Sequence, residues 1–354
     1  MAESGLLFIP DISGFTKFVN ETEIDHSRII IEELLENIIN SNKIGLHISE
    51  VEGDAILFYR FGGNPSFEEL SSQVEKMFCN FQKQIKYYEN TRMCTCAACT
   101  SAVKLSLKII THYGEFSSYT VKDFSKLIGK DVIVAHQLLK NDIDLHEYWL
   151  ATNNLFPAEK KTEQLPEWLQ WKHGTKQTEN GNISFDYSLL TSLKENIEPD
   201  LPIDRTLGEN KIKVASATKT INAEIISVFS MMGNLPLRNK WQAGVKSIDK
   251  INHPIYHLGI RFRAITNKGS TVFYSSSFND ADNMFCLSET DENKTQSIYI
   301  TLKPLNDNQT SVTLDLYLPR KPLNGFIFSL FMKRKIEKNF KQSLNNLERL
   351  FTGN

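Results

Sequence analysis

The chain has 354 residues, long for one domain and comfortable for two, each able to bury its own core. Its 40 Lys and Arg nearly cancel its 42 Asp and Glu, with no long block of one sign, which argues against a nucleic-acid partner and makes any phosphate site a local one. Five cysteines, an odd number, argue against a disulfide framework. The opening Met-Ala-Glu-Ser-Gly lacks the basic segment of a signal peptide, and the apolar runs fall far short of the about 18 residues of a membrane span, so a cytoplasmic protein with no membrane span is expected.

Residues 6–9 form a short apolar run that predicts a buried strand. It leads through Asp11, Ile12, Ser13 and Gly14 to Phe15 and Thr16, just before a helical pattern, so the strand delivers a carboxylate to a loop at a helix start. Free N–H groups there suit a polyphosphate, and a carboxylate suits the Mg²⁺ that travels with one. Residues 16–40 carry Phe18, Ile24, Ile30, Leu34 and Ile38 at helical spacing and predict one amphipathic helix. Strand-like runs at 44–51 and 55–61 flank Gly53-Asp54, which places Asp54 at a hairpin tip. If that hairpin pairs beside the first strand, Asp11 and Asp54 converge.

Gly62-Gly63-Asn64-Pro65 breaks the chain before a helix predicted over 67–88 and a strand over 105–113 that ends at Gly114. The order β-α-β-β-α-β is the ferredoxin-like arrangement. Cys94, Cys96 and Cys99 fall before the last of these strands, at a spacing that suggests soft-metal ligation, with a disulfide, reactive thiols or ordinary packing as alternatives. Tetrahedral zinc needs four ligands, and Cys79 or a nearby histidine such as His112 is the expected fourth. Taken alone, His112 and His136 are expected to be structural. Residues 168–190 predict a closing hairpin. The first domain is drawn at 1–192, a Pro- and charge-containing linker at 193–209, and a second domain at 210–354.

Phe8, Asp11-Ile12-Ser13-Gly14-Phe15-Thr16 and the later Gly53-Asp54 together resemble the catalytic domain of class III adenylate and guanylate cyclases. The resemblance implies that Asp11, Asp54 and the backbone carbonyl of Ile12 hold Mg²⁺ or Mn²⁺. It further implies that Gly14, Phe15 and Thr16 contact a nucleoside triphosphate, and that the domain forms a homodimer. Two-metal chemistry needs both acids, because the attacking and leaving oxygens each require a cation. Gly129-Lys-Asp-Val-Ile-Val-Ala-His-Gln aligns with the family segment whose Asn and Arg orient the ribose and stabilise the transferring phosphate. Here those positions carry Ile133 and Gln137, which offer no hydrogen bond and no permanent charge respectively. The family positions that read the base fall on Glu50 and Lys126. Glu50 favours guanine, unless Glu50, Glu52 and Asp54 form only a solvated acidic edge.

Beyond residue 210 come a strand, two short helical runs containing Ile221-Asn-Ala and Trp241, six strand-like runs, and one long helix predicted over 323–351. One of the six, 256–265, alternates Tyr256, Leu258, Ile260 and Phe262 with polar residues. This order resembles the helix-grip fold of START-like and polyketide cyclase-like proteins. The resemblance implies an apolar cavity for a small molecule or lipid, with Trp241, Phe262, Tyr274, Tyr299 and Phe326 as cavity candidates. The last helix has Lys333-Arg334-Lys335 beside its apolar stripe, so it covers the sheet or, alternatively, lies on a membrane surface.

The fold class expected is therefore α+β: a ferredoxin-like nucleotide cyclase fold followed by an α+β helix-grip domain. The function expected is a nucleotide- or metal-binding regulatory module with little or no turnover. The alternative is an active cyclase completed by a partner chain that supplies Asn and Arg.

Overall fold

The computed structural model describes residues 2–156, 165–178, 181–250, 252–280, 284–320 and 332–352. The chain divides into two compact units, one built mainly from residues up to Asp200 and the other mainly from Leu201 onward. Both are mixed α+β. No helix among the described residues is long and apolar enough to cross a membrane.

In the first unit β1 (Glu3–Ser13) is followed by α1 (Phe15–Glu21), α2 (Ile24–Asn40), β2 (His47–Glu52), β3 (Ala55–Phe61) and α3 (Phe67–Thr91). After α4 (Ala97–Ser101) come β4 (Ser106–Val121), β5 (Phe124–Ile128), α5 (Lys130–Leu139), β6 (Tyr148–Thr152), β7 (Lys172–Thr178) and β8 (Gly181–Leu189). The sheet runs β2-β3-β1-β4-β6-β8-β7, with β5 paired to β4. Its β2-β3-β1-β4 part is antiparallel throughout, as a split βαβ requires. Leu6, Leu7, Phe8 and Ile9 are buried because β1 is central and covered on both faces, which is why they read as a continuous apolar run.

Three features differ from the sequence expectation. The single helix over 16–40 is two, because Thr22 takes an extended backbone with φ −128 and turns its hydroxyl back to the Phe18 carbonyl at 2.7 Å. The strand expected to stop at Gly114 continues to Val121. Gly114 is there for space rather than as a terminator: a Cβ at that position would lie 2.3 Å from the Asp131 carboxyl carbon. Finally, β6 was not anticipated. Its five residues are all buried and it pairs parallel to β4, so it carries no alternation to betray it.

The second unit holds β9 (Lys211–Ile221), α6 (Ile225–Gly233), α7 (Arg238–Trp241), β10 (Val245–Lys250), β11 (Arg261–Thr266) and β12 (Gly269–Asn279). It continues with β13 (Phe285–Asp291), β14 (Ser297–Asn306), β15 (Gln309–Pro319) and α8 (Lys333–Thr352). The strands form one antiparallel sheet in the order β10-β11-β12-β13-β14-β15-β9. Leu344 and Leu347 of α8 join Trp241, Phe262, Ile300 and Leu314 in one buried cluster. The expected strand over 256–265 is confined to β11, because Gly259 turns the chain with φ +84 and Pro202 packs where its Cβ would be, at 2.5 Å. The expected last helix begins, among the described residues, at Lys333; residues 323–331 lie outside them.

Candidate metal and nucleotide site

Asp11 is the one residue between Gly5 and Ser13 of β1 that is not fully buried. Antiparallel pairing sets it opposite Ala55, the first residue of β3, so Asp54 in the preceding turn lies alongside it. The Ile12 amide donates to the Asp54 carbonyl at 3.0 Å and fixes that neighbourhood. Gly53 makes the turn possible with φ +63, and the Phe15 ring at the start of α1 lies 3.7 Å from where its Cβ would be. Thus Asp54, distant in sequence, is brought beside Asp11, Ile12 and Phe15.

Burial pushes the Asp11 carboxyl up to about 6; Lys108 opposes this and the nearby Asp54 charge adds to it. Asp54 is likewise raised by burial, against the pull of its own backbone hydrogen bonding and of Lys108. Lys108 was not anticipated. It faces Asp11 across the β1–β4 pair, with Nζ 3.6 Å from Asp11 Oδ1, and it also donates to the Leu139 carbonyl at 3.3 Å. A lysine between the buried Leu107 and Ile109 of a central strand was the available signal.

Glu50 and Lys126 pair with each other at 2.6 Å, joining β2 to β5. Ile133 is 54% exposed on α5, Gln137 follows one turn later and half-buried, and Thr16 is exposed on α1. Asp131 is buried and accepts from the Glu115 amide at 2.8 Å, while its other oxygen lies 3.1 Å from His112 Nε2. The second His112 nitrogen meets the Thr152 hydroxyl at 2.8 Å, and burial lowers the imidazole's proton affinity despite Asp131.

His112 is therefore committed to this network and is not the fourth partner of the cysteines. Nor is Cys79. The histidine beside Cys99 is instead His26, with Nδ1 3.6 Å from Cys99 Sγ. His26 escaped the sequence because it stands 73 positions from Cys99 in the chain. His136 sits 3.9 Å from Glu52 at the surface.

The second unit contains a cavity of about 440 Å³ whose walls include Trp241, Phe273, Ile298, Ile300, Leu314 and Phe340. Two further lining residues, Arg238 and Glu289, make a two-pronged ion pair at 2.8 and 2.7 Å, and Tyr256 donates to Glu289 at 2.6 Å. Of the cavity candidates Trp241 lines the space. Phe262 is instead packed in the core, its ring 5.6 Å from the Arg238 guanidinium. Tyr274 carries Arg205 over its ring at 4.6 Å, and Tyr299 accepts from Lys211 at 2.6 Å. The period-two pleat sends Phe273 and Ile298 to the cavity face and their neighbours Tyr274 and Tyr299 to the other. Phe326 lies outside the described residues.

Residues 31–148 match a family model described as a protein of unknown function (DUF2652). An uncharacterized Mycobacterium tuberculosis protein, Rv2561/Rv2562, is 35% identical over 123 residues, which is 34% of this chain and 56% of that one. The chain thus spans little more than half the length of that relative. Among solved structures, the N-terminal half is similar to class III nucleotide cyclase domains. One is the guanylate cyclase domain of RhGC from Catenaria anguillulae in complex with GTP, at 15% identity and a TM-score of 0.39, covering 53% of this chain and 97% of that one. Another is a bacterial light-regulated adenylyl cyclase, at 14% identity and a TM-score of 0.39, covering 55% and 96%.

Proposed function

We propose that the first unit holds Mg²⁺ or Mn²⁺ on Asp11 and Asp54, with the Ile12 carbonyl as a further oxygen, and through it binds a nucleoside triphosphate. One observation carries this: a carboxylate near the end of β1 and another in the β2–β3 turn lie close together in a partly buried corner, where burial raises the proton affinity of both. Lys108 offsets one of the two negative charges, and a divalent cation offsets what remains. When bound, that cation neutralises phosphate charge. Gly14, Phe15 and Thr16 stand where they can meet the phosphates, and the Glu50–Lys126 pair is where a base would be read.

Turnover by this chain alone is not supported. Ile133 and Gln137 provide neither the amide nor the guanidinium that the resemblance calls for, and each such loss costs about 10²–10³ in rate. The module is therefore regulatory, and it pairs with a second copy. Ile48 and Val51 of β2, Tyr119, Val121 and Ile128 of the β4–β5 hairpin, and Ile133 of α5 are exposed apolar residues suited to that interface. The second unit is a helix-grip domain whose cavity takes an apolar small molecule or lipid, within the usual volume range of such sites, about 300–1,000 Å³.

The test is to incubate the full chain with Mn²⁺ and GTP or ATP, reading both melting temperature and cyclic product. Nucleotide-dependent stabilisation that needs Mn²⁺ and vanishes in Asp11→Ala, without product, is expected. Cyclic product lost in Asp11→Ala defeats the regulatory reading in favour of the enzyme. No effect of metal or nucleotide on melting defeats both.

A further inference from the structure

The cavity of the second unit is polar in two places. In one, Arg238 lies 5.6 Å from the Phe262 ring and donates from both terminal nitrogens to Glu289. Its Nε, and the indole nitrogen of the neighbouring Trp241, are buried N–H donors with no partner among the described residues, and both residues line the cavity. A buried donor without an acceptor is costly, so this part of the wall suits an occupant that brings an oxygen. In the other, Lys268 sits in the β11–β12 turn, where its amide donates to Thr266 Oγ1 at 3.1 Å, and Lys335 stands on α8. Thr266 follows Phe262 along β11 by about 14 Å at the rise of an antiparallel strand, so the two polar places are well separated. Phe273, Ile298, Ile300, Leu314 and Phe340 supply apolar wall.

The charged residues among those described on this wall are Arg238, Lys268, Glu289 and Lys335. Arg238 and Glu289 cancel, which leaves the two lysines with no wall carboxylate to offset them among the described residues. The lysines also lie together: the Lys335 ammonium is held below its usual proton affinity, first by hydrogen bonding with Lys268 and then by that residue's charge. Their setting is firm. Ser343 of α8 accepts from the Ala243 amide at 2.9 Å, and Leu344 and Leu347 are buried in the core. Lys335, Asn339 and Ser343 recur every four residues, so one face of α8 presents them to the cavity beside Ile336 and Phe340.

We infer that this cavity binds an amphipathic anion, a single apolar chain or fused-ring body whose carboxylate or phosphate is held between Lys268 and Lys335. The inference rests on the reading of the cavity as a site for an apolar small molecule or lipid, and it names what that ligand must carry. Two adjacent ammonium groups repel each other, and an anion between them replaces repulsion with two charge-assisted hydrogen bonds. A neutral ligand leaves the repulsion in place, and a cation adds a third like charge. Both lysines are exposed, so the apolar body leaves water while the head stays in contact with it. A space of about 440 Å³, in the lower half of the usual range of about 300–1,000 Å³, suits one such body rather than a two-chain lipid.

The test is to titrate the full chain with the fluorescent polyene carboxylate cis-parinarate and with its neutral methyl ester, each below the concentration at which it forms micelles. Saturable binding of one parinarate per chain is predicted, about tenfold tighter than the ester, as two solvent-weakened charge-assisted hydrogen bonds allow. Lys268→Gln combined with Lys335→Gln should bring parinarate to the ester's affinity and leave the ester unchanged; both side chains are exposed, so the fold is kept. Lys303→Gln, on β14 and outside the cavity wall, should change neither. Dodecanoate or dodecyl phosphate, whichever head the lysines prefer, should displace parinarate about tenfold better than dodecanol does. Equal affinity for acid and ester, or a preference for the acid that survives the double change, overturns the anion site and leaves the apolar cavity standing. No saturable binding of either probe overturns both readings.

Discussion

The amide of Ile12 donates to the carbonyl of Asp54 at 3.0 Å, joining the end of the central strand β1 to the β2–β3 turn. That single link sets the two acids of the chain's most specific motif side by side. It also commits the Ile12 N–H inward, so that the acids rather than the backbone donors define the charge of the corner. Burial then raises the proton affinity of both carboxylates.

Stability without metal should therefore depend on pH in an unusual direction. Asp11 titrates near 6 in the folded chain and near 3.8 when unfolded, so the folded state binds the extra proton between those values. Its stabilising contribution is complete below about pH 4 and is lost as pH rises through about 6, a change of about 3 kcal/mol by linkage. Asp11→Asn should remove this component and raise the melting temperature at pH 7.5 in chelator by several degrees. Melting curves of the two proteins from pH 4 to 7.5 measure it; parallel pH profiles would contradict it.

Lys108 competes with any cation for Asp11. Lys108→Met should push the Asp11 titration above about 6, because it removes the charge that now opposes burial. Carboxyl carbon NMR against pH reads this directly. An unchanged Asp11 titration would show that the 3.6 Å pair has no electrostatic weight.

Much of the first unit was legible because its signals are local. The continuous apolar run of β1, the Gly-Asp hairpin tip and the acid just before a helix each follow from a few adjacent residues. What was not legible depended on tertiary partners. Gly114 looks like a strand end in sequence, yet it is a notch for the Asp131 side chain; β6 shows no alternation because both its faces are covered. In the second unit the aromatic positions were identified but not their side of the sheet. A turn at Gly259 shifts where the pleat begins, and Tyr274 and Tyr299 fall on the face away from the cavity.

The Gly114 notch makes a sharp prediction. Asp131 cannot withdraw without breaking its bonds to the Glu115 amide and His112, so Gly114→Ala should cost about 1–3 kcal/mol by overpacking. Urea unfolding of the two proteins decides it; a variant as stable as the parent would mean that the strand can shift.

Arg238 and Glu289 are only 1% and 3% exposed, so removing either alone strands a buried charge. Glu289→Gln should destabilise by about 3–5 kcal/mol, whereas the double change Arg238→Met with Glu289→Met should cost much less. A double-mutant cycle by urea unfolding checks both values, and a double variant as damaged as the single would contradict the pairing.

The central claim is that Asp11 and Asp54 form one cation site. Titration of the full chain with Mn²⁺ at pH 7.5, followed by loss of the free-ion electron paramagnetic resonance signal, tests it most directly. Saturable binding is predicted, weakened at least about tenfold in both Asp11→Asn and Asp54→Asn and unaffected by Cys99→Ser, since each acid contributes a ligand. Equal Mn²⁺ affinity in the parent and the two aspartate variants would contradict it.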